Sequence, residues 1–179
     1  MSILFFIKST PLHFQRQMLM DFADSVGGKT TNSEHYKECD IAVIFGSWKR
    51  VPKKKWKLML QHHFTKNDIV ENHRGKPLIV IETPLLSRTI SDKHDNYRVG
   101  LNHFMRGLAD FNNKNSKPDR FKKLGIKIKP WRNKGEHVLI VGQNMFDASL
   151  FGIDFEWWVK NTIQHLRRHT DRDIVFRDH

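Results

Sequence analysis

The 179-residue chain is short of the features that usually classify a protein quickly. It has one cysteine, Cys39, so no internal disulfide can form, and a lone thiol fits a reducing compartment. Carboxylates are scarce, with 19 Asp and Glu against 31 Lys and Arg, which leaves a net charge of +12. That imbalance favours polyanionic partners such as nucleic acid, anionic lipid or anionic sugar polymers. No apolar run approaches the roughly 20 residues that span a bilayer. The opening MSILFFIKSTP is apolar but short. With no basic segment before it and no small-residue cleavage site after it, it reads as a first strand, not a signal peptide. The phosphate-cradling patterns GxxxxGK[ST] and GxGxxG are absent, as are CxxC, HExxH and GxSxG. His62 and His63 are adjacent on a predicted helix, where neighbouring side chains do not converge on one ion. There are no internal repeats and no low-complexity segment.

What is present is a regular alternation. Residues 2–8 (SILFFIK), 40–46 (DIAVIFG) and 77–83 (PLIVIET) are apolar runs rich in strand formers. They are continuously apolar, which predicts a parallel sheet covered on both faces. Residues 12–26 place Leu12, Met18, Leu19, Phe22 and Val26 at helical spacing, and Gly27-Gly28 supplies a stop. Residues 53–64 read as a second helix with Trp56, Leu60 and Phe64 on one stripe. Strand, helix, strand, helix, strand is the sequence form of an α/β, Rossmann-like, doubly wound domain. Residues 97–111 read as a short helix or an ordered loop.

The segment 112–134 is polar, basic and marked by Pro118 and Pro130. Beyond it the pattern resumes. Residues 137–143 (HVLIVGQ) predict a strand, 154–169 a long helix and 173–177 (DIVFR) another strand. The expected organisation is therefore a domain over 1–112, a basic linker over 113–134, and an incomplete β-α-β unit over 135–179. In Trp157-Trp158 the two rings point about 100° apart. One is expected in the core and the other over a domain junction. Trp131, within the basic KIKPWRNK, could stack on a nucleic-acid base, but packing against the sheet is the favoured expectation.

Ligands of open parallel sheets bind beyond the carboxyl ends of the strands. That rule points to Ser9 and Thr10, Gly46 to Trp48, Glu82 and Thr83, Gly142 to Asp147, and Arg177 to His179. Gly46 and Gly142 could equally do no more than turn the chain. Arg177 offers a charged fork to phosphate oxygens, and His179 can donate a hydrogen bond or move a proton.

In order along the chain, GKPLIVIETPLLSR (75–88), YRVGLNHF (97–104), PDRFKKLGIKIKPWRNKGEHVLIVGQNMFDASL (118–150) and TDRDIVFRDH (170–179) resemble segments of phage-type and capsule-type glycosyltransferases of the two-Rossmann-domain GT-B class. Asp178 stands where the family motif carries proline. The resemblance implies a GT-B-like fold and transfer of a sugar from a nucleotide sugar to a hydroxyl acceptor, with modified DNA among the acceptors. It implies Gln143, Asp147, Ser149, Arg177 and His179 on the donor side, and Arg88, Tyr97, Arg98 and Trp131 on the acceptor side. Glu82 is the implied general base, since a half-buried carboxylate can take a proton from a hydroxyl. It implies no cofactor and no metal, because basic groups and helix dipoles neutralise the leaving diphosphate. The implied partners are a nucleotide sugar and DNA or another polyanion. The implied location is the cytoplasm, the host's where the chain is phage-encoded. The competing reading is a non-enzymatic basic module that binds nucleic acid or a host partner.

Overall fold

The computed structural model describes residues 1–48, 53–83, 97–103, 115, 117–132, 134–143, 150 and 153–178. The chain divides into two compact units, Met1–Leu124 and Gly125–His179. The boundary falls inside the basic segment 113–134.

The first unit is built on strands β1 (Ile3–Phe6), β2 (Lys29–Thr31), β3 (Ile41–Phe45), β4 (Leu78–Glu82) and β5 (Arg98–Leu101). They form one sheet in the order β2-β1-β3-β4-β5. The first four pair in parallel, and β5 runs antiparallel to β4. Helix α1 (His13–Ser25) follows β1 through a 3₁₀ turn, and α2 (Gln61–Asn72) precedes β4. The fold is α/β with a mostly parallel sheet, compatible with a Rossmann-like domain.

Alternation along the strands explains why both faces are covered, since successive side chains point to opposite sides of a sheet. Phe5, Val43, Phe45 and Ile81 pack with Met18, Leu19 and Ala23 of α1. Phe6, Ala42, Ile44 and Val80 pack with Ile69 of α2 and with Cys39. The continuous apolar runs follow from this double burial.

Three local expectations are corrected. Residues 53–64 do not form one helix. A 3₁₀ segment, Lys53–Leu58, breaks off before α2 starts at Gln61. Leu60 is exposed and takes the N-cap position with extended backbone, so it lies on no core stripe. The Trp56 side chain lies outside the described ones. The helix is instead anchored on the sheet by Ile69, which is fully buried. Residues 98–101 form strand β5, not helix or loop. Its last turn is closed by Asn102 in the left-handed region, whose N–H donates to Leu78 O at 2.6 Å and whose Oδ1 accepts from Leu78 N–H at 3.1 Å. Short strands of this kind carry little apolar signal, and pairing with β4 decides the outcome.

The second unit contains β6 (His137–Val141), α4 (Phe155–Arg167) and β7 (Asp173–Arg177), with β6 and β7 parallel from His137↔Asp173 to Val141↔Arg177. A short helix, α3 (Asp119–Lys123), closes the first unit. Asp154 caps α4, its Oδ1 accepting from Trp157 N–H at 3.0 Å. The third correction concerns burial. Among the described residues of the unit Ile140 is the buried apolar one, and α4 buries none of its described side chains. Trp157 is 61% exposed and Trp158 38%, so neither is a core residue. The apolar contacts are local, with Phe155 stacked on Trp158 at 5.8 Å and 6.4 Å from Phe176. Among the described residues, no helix is long and apolar enough to cross a membrane.

Candidate functional site

The carboxyl edge of the first sheet collects polar groups from three neighbouring strands. The chain leaves β1 toward β2 on one side and returns through β3 on the other, so β1 and β3 flank the point where the strand order reverses. Ser9 and Thr10 follow β1 and are buried, and the Ser9 Oγ accepts from Phe45 N–H at 3.0 Å. Thr10 Oγ1 is hydrogen-bonded to Gln15 Oε1, and Thr10 O accepts from Arg16 Nε at 3.0 Å. These bonds hold the start of α1 against the strand end.

Gly46 ends β3 with φ +74°, a conformation that side-chain-bearing residues enter at a cost. Its N–H donates to Ile81 O at 2.7 Å. A Cβ placed there would lie 3.5 Å from Lys66 Nζ and 3.6 Å from Glu82 Oε2. An ammonium and a carboxylate therefore both come near the bare face of this glycine. Glu82 is the last residue of β4 and half-buried. Its Oε1 accepts from Thr83 N–H at 2.7 Å and from the Thr83 hydroxyl at 2.9 Å, which leaves Oε2 as the oxygen turned to Gly46. Arg98 pairs opposite Glu82 in the sheet, and its Nε donates to Thr83 O at 3.0 Å.

Lys66 was not foreseen. It is only 6% exposed, although it lies on α2 within the polar run Thr65-Lys66-Asn67-Asp68. Charged groups are rarely buried to this degree without a structural or chemical reason. The signal was available in the helical phase, because Ile69 lies three residues further along and is fully buried on the sheet.

The remaining predicted residues scatter. Tyr97 is a packing residue, edge-on to Phe22 at 6.4 Å and to Phe45 at 6.5 Å. Gln143 and Arg177 lie in the second unit at the carboxyl ends of β6 and β7, where Gly142 N–H donates to Arg177 O at 2.7 Å. Gly142 does more than turn the chain. A Cβ there would stand 3.0 Å from Phe176 Cζ and 3.2 Å from Arg177 O. Beside these strand ends Phe155, Val159 and Phe176 line a hollow rimmed by Glu156, Lys160 and Asp178. Asp154 and Glu156 already place two carboxylates at the positive end of α4, so that helix terminus is poorly suited to a diphosphate. Trp131 is 92% exposed and packs against no sheet, which corrects the expectation of packing. Arg88, Asp147, Ser149 and His179 lie outside the described residues. Among those described, no group of three or more His, Cys, Asp and Glu is placed to hold a metal ion.

The amino edge of the first sheet has its own electrostatics. His73 is buried there, with Nε2 2.9 Å from Pro77 O and 3.2 Å from Ala42 N, and Nδ1 3.2 Å from the Tyr36 hydroxyl. Lys76 pairs with Glu38. The Lys76 hydrogen bond and charge hold the Glu38 carboxyl below its ordinary range and raise the lysine. Ser2 holds Asp40 low through its backbone N–H and then its hydroxyl. Burial raises both the Tyr36 phenol and the Cys39 thiol. This edge is a structural clamp, remote along the strands from Gly46. No family model, curated protein or solved structure matches this chain.

Proposed function

We propose that the protein transfers a sugar from a nucleotide sugar to a hydroxyl acceptor. The observation that carries this reading is the approach of Glu82 Oε2 and Lys66 Nζ to the bare face of Gly46 at the carboxyl edge of a parallel sheet. The carboxylate takes the proton from the acceptor hydroxyl. The freed oxygen lone pair forms the new bond to the anomeric carbon, and the bond to the diphosphate breaks with its electron pair leaving on the diphosphate. Lys66 contributes positive charge at the same glycine face. The second unit, taken by itself, offers an apolar hollow between Phe155 and Phe176 that could seat a planar base, with Arg177 at a nearby strand end. The reading needs no metal or cofactor.

The test is release of free nucleoside diphosphate from a panel of nucleotide sugars, with and without hydroxyl acceptors, including DNA. Glu82→Gln is expected to lower transfer by about 10²–10⁴-fold while leaving donor binding intact, as loss of a general base does. Unchanged transfer in Glu82→Gln removes the base assignment. Absence of binding to every nucleotide sugar by calorimetry removes the reading as a whole.

A further inference from the structure

The segment from Lys117 to Lys134 carries eight Lys and Arg and a single carboxylate, Asp119. Within it, residues 126–132 form no helix, strand or turn, and every one of them is exposed. Ile128 is 82% exposed and Trp131 92%. Among the described residues, Lys127, Lys129, Trp131, Arg132 and Lys134 make no hydrogen bond, ion pair or ring contact. An indole left almost entirely in water forgoes one of the largest apolar burials a side chain can make. Its neighbours hold four cations within eight residues, Lys127, Lys129, Arg132 and Lys134, and no carboxylate lies among them.

The order of these side chains narrows the partner. Pro130 biases Lys129 toward extended backbone. In an extended chain alternate residues share a side and repeat about every 6–7 Å. Lys127, Lys129 and Trp131 then fall on one side, with Ile126, Ile128 and Arg132 on the other. Insertion into a lipid surface would need the isoleucines and the indole together. A single nucleic-acid strand needs the opposite arrangement, with cations tracking the backbone and an aromatic face beside them for a base. We propose that residues 126–132 bind single-stranded nucleic acid, Trp131 stacking on a base while Lys127 and Lys129 on the same side meet phosphates. This contact does not depend on sugar transfer.

The experiment is fluorescence anisotropy of the full chain with a labelled oligothymidylate, an equivalent duplex, and vesicles with and without anionic lipid, each over a range of salt. The strand is expected to bind more tightly than the duplex or either vesicle. Trp131→Ala is expected to weaken strand binding about tenfold with the salt slope unchanged, the usual scale for one stacked base. Lys127→Gln with Lys129→Gln is expected to flatten the slope of log K against log salt by about 0.7 for each lysine. Both variants should retain the parent melting temperature, because the replaced side chains are exposed and make no hydrogen bond, ion pair or ring contact among the described residues. Unchanged strand affinity in Trp131→Ala, a duplex or vesicle bound more tightly than the strand, or no binding at low salt would each overturn the proposal. Nucleotide-sugar binding, measured on the same variants, reports separately on the catalytic reading.

Discussion

The two units use the same kind of sequence to different ends. In the first, apolar runs become strands covered by α1 on one face and α2 on the other, and Phe6, Leu19, Ile44 and Val80 are fully buried. In the second, HVLIV and DIVFR form an equally regular parallel pair, yet Leu139, Val141, Val175 and Phe176 remain substantially exposed. A continuous apolar run therefore specifies a strand in both units, but its burial depends on what lies over it.

The largest expected contrast is in side-chain truncation. Ile44→Ala should destabilise the first unit by about 2–5 kcal/mol, since it empties a packed position. Leu139→Ala should cost the second unit about 1 kcal/mol or less, because the side chain is already half in water. Hydrogen exchange read by mass spectrometry resolves the two units separately. Equal costs at the two positions would break the contrast.

Gly142→Ala should come next. Its methyl meets Phe176 and a backbone carbonyl at the distances given above, and crowding of this kind costs about 1–3 kcal/mol. Exchange should quicken in β6, β7 and α4 and stay unchanged in β1, β3 and β4. Quickening in both units would show that they unfold together.

The smallest effect concerns acid. Glu38 and Asp40 have carboxyls held low in the folded first unit. Their contribution is present above the unfolded carboxylate range and is lost as pH falls through the lower folded values. Melting temperature should therefore fall on acidification below 4.5, the ordinary glutamate value, and Glu38→Gln should flatten part of that fall. Because Glu38 is exposed, added salt should shrink the difference. An unchanged acid limb in Glu38→Gln would assign the loss to Asp40 and other groups.

Much of the first unit was legible because its central strands are continuously apolar and α1 has a clear stripe ended by glycines. Strand β2, Lys-Thr-Thr, and strand β5, Arg-Val-Gly-Leu, were not legible, since neither has enough apolar length to stand out from a loop. The start of α2 was misplaced because Trp56, Leu60 and Phe64 happen to share a helical spacing that the chain does not use. At the candidate site, Gly46 and Glu82 could be found from the rule about strand ends alone. Lys66 needed more than that rule, because a lysine amid Thr, Asn and Asp reads as solvated until Ile69 is used to fix the phase of its helix. Trp131 failed differently. Large aromatics usually pack, and nothing local showed that the surrounding chain would leave this one uncovered.

The outer borders of the two sheets have a consequence for handling the protein. The first sheet ends in a three-residue strand on one side and in an antiparallel strand closed by Asn102 on the other. Both make poor templates for another chain. Among the described residues, β6 and β7 pair only with each other, so each has a flank without a described strand partner beside exposed apolar side chains. Such flanks recruit further strands. Under heating or at high concentration, intermolecular β-aggregation should therefore nucleate at β6 and β7, and a lysine or proline placed on either flank should delay turbidity without disturbing the first sheet.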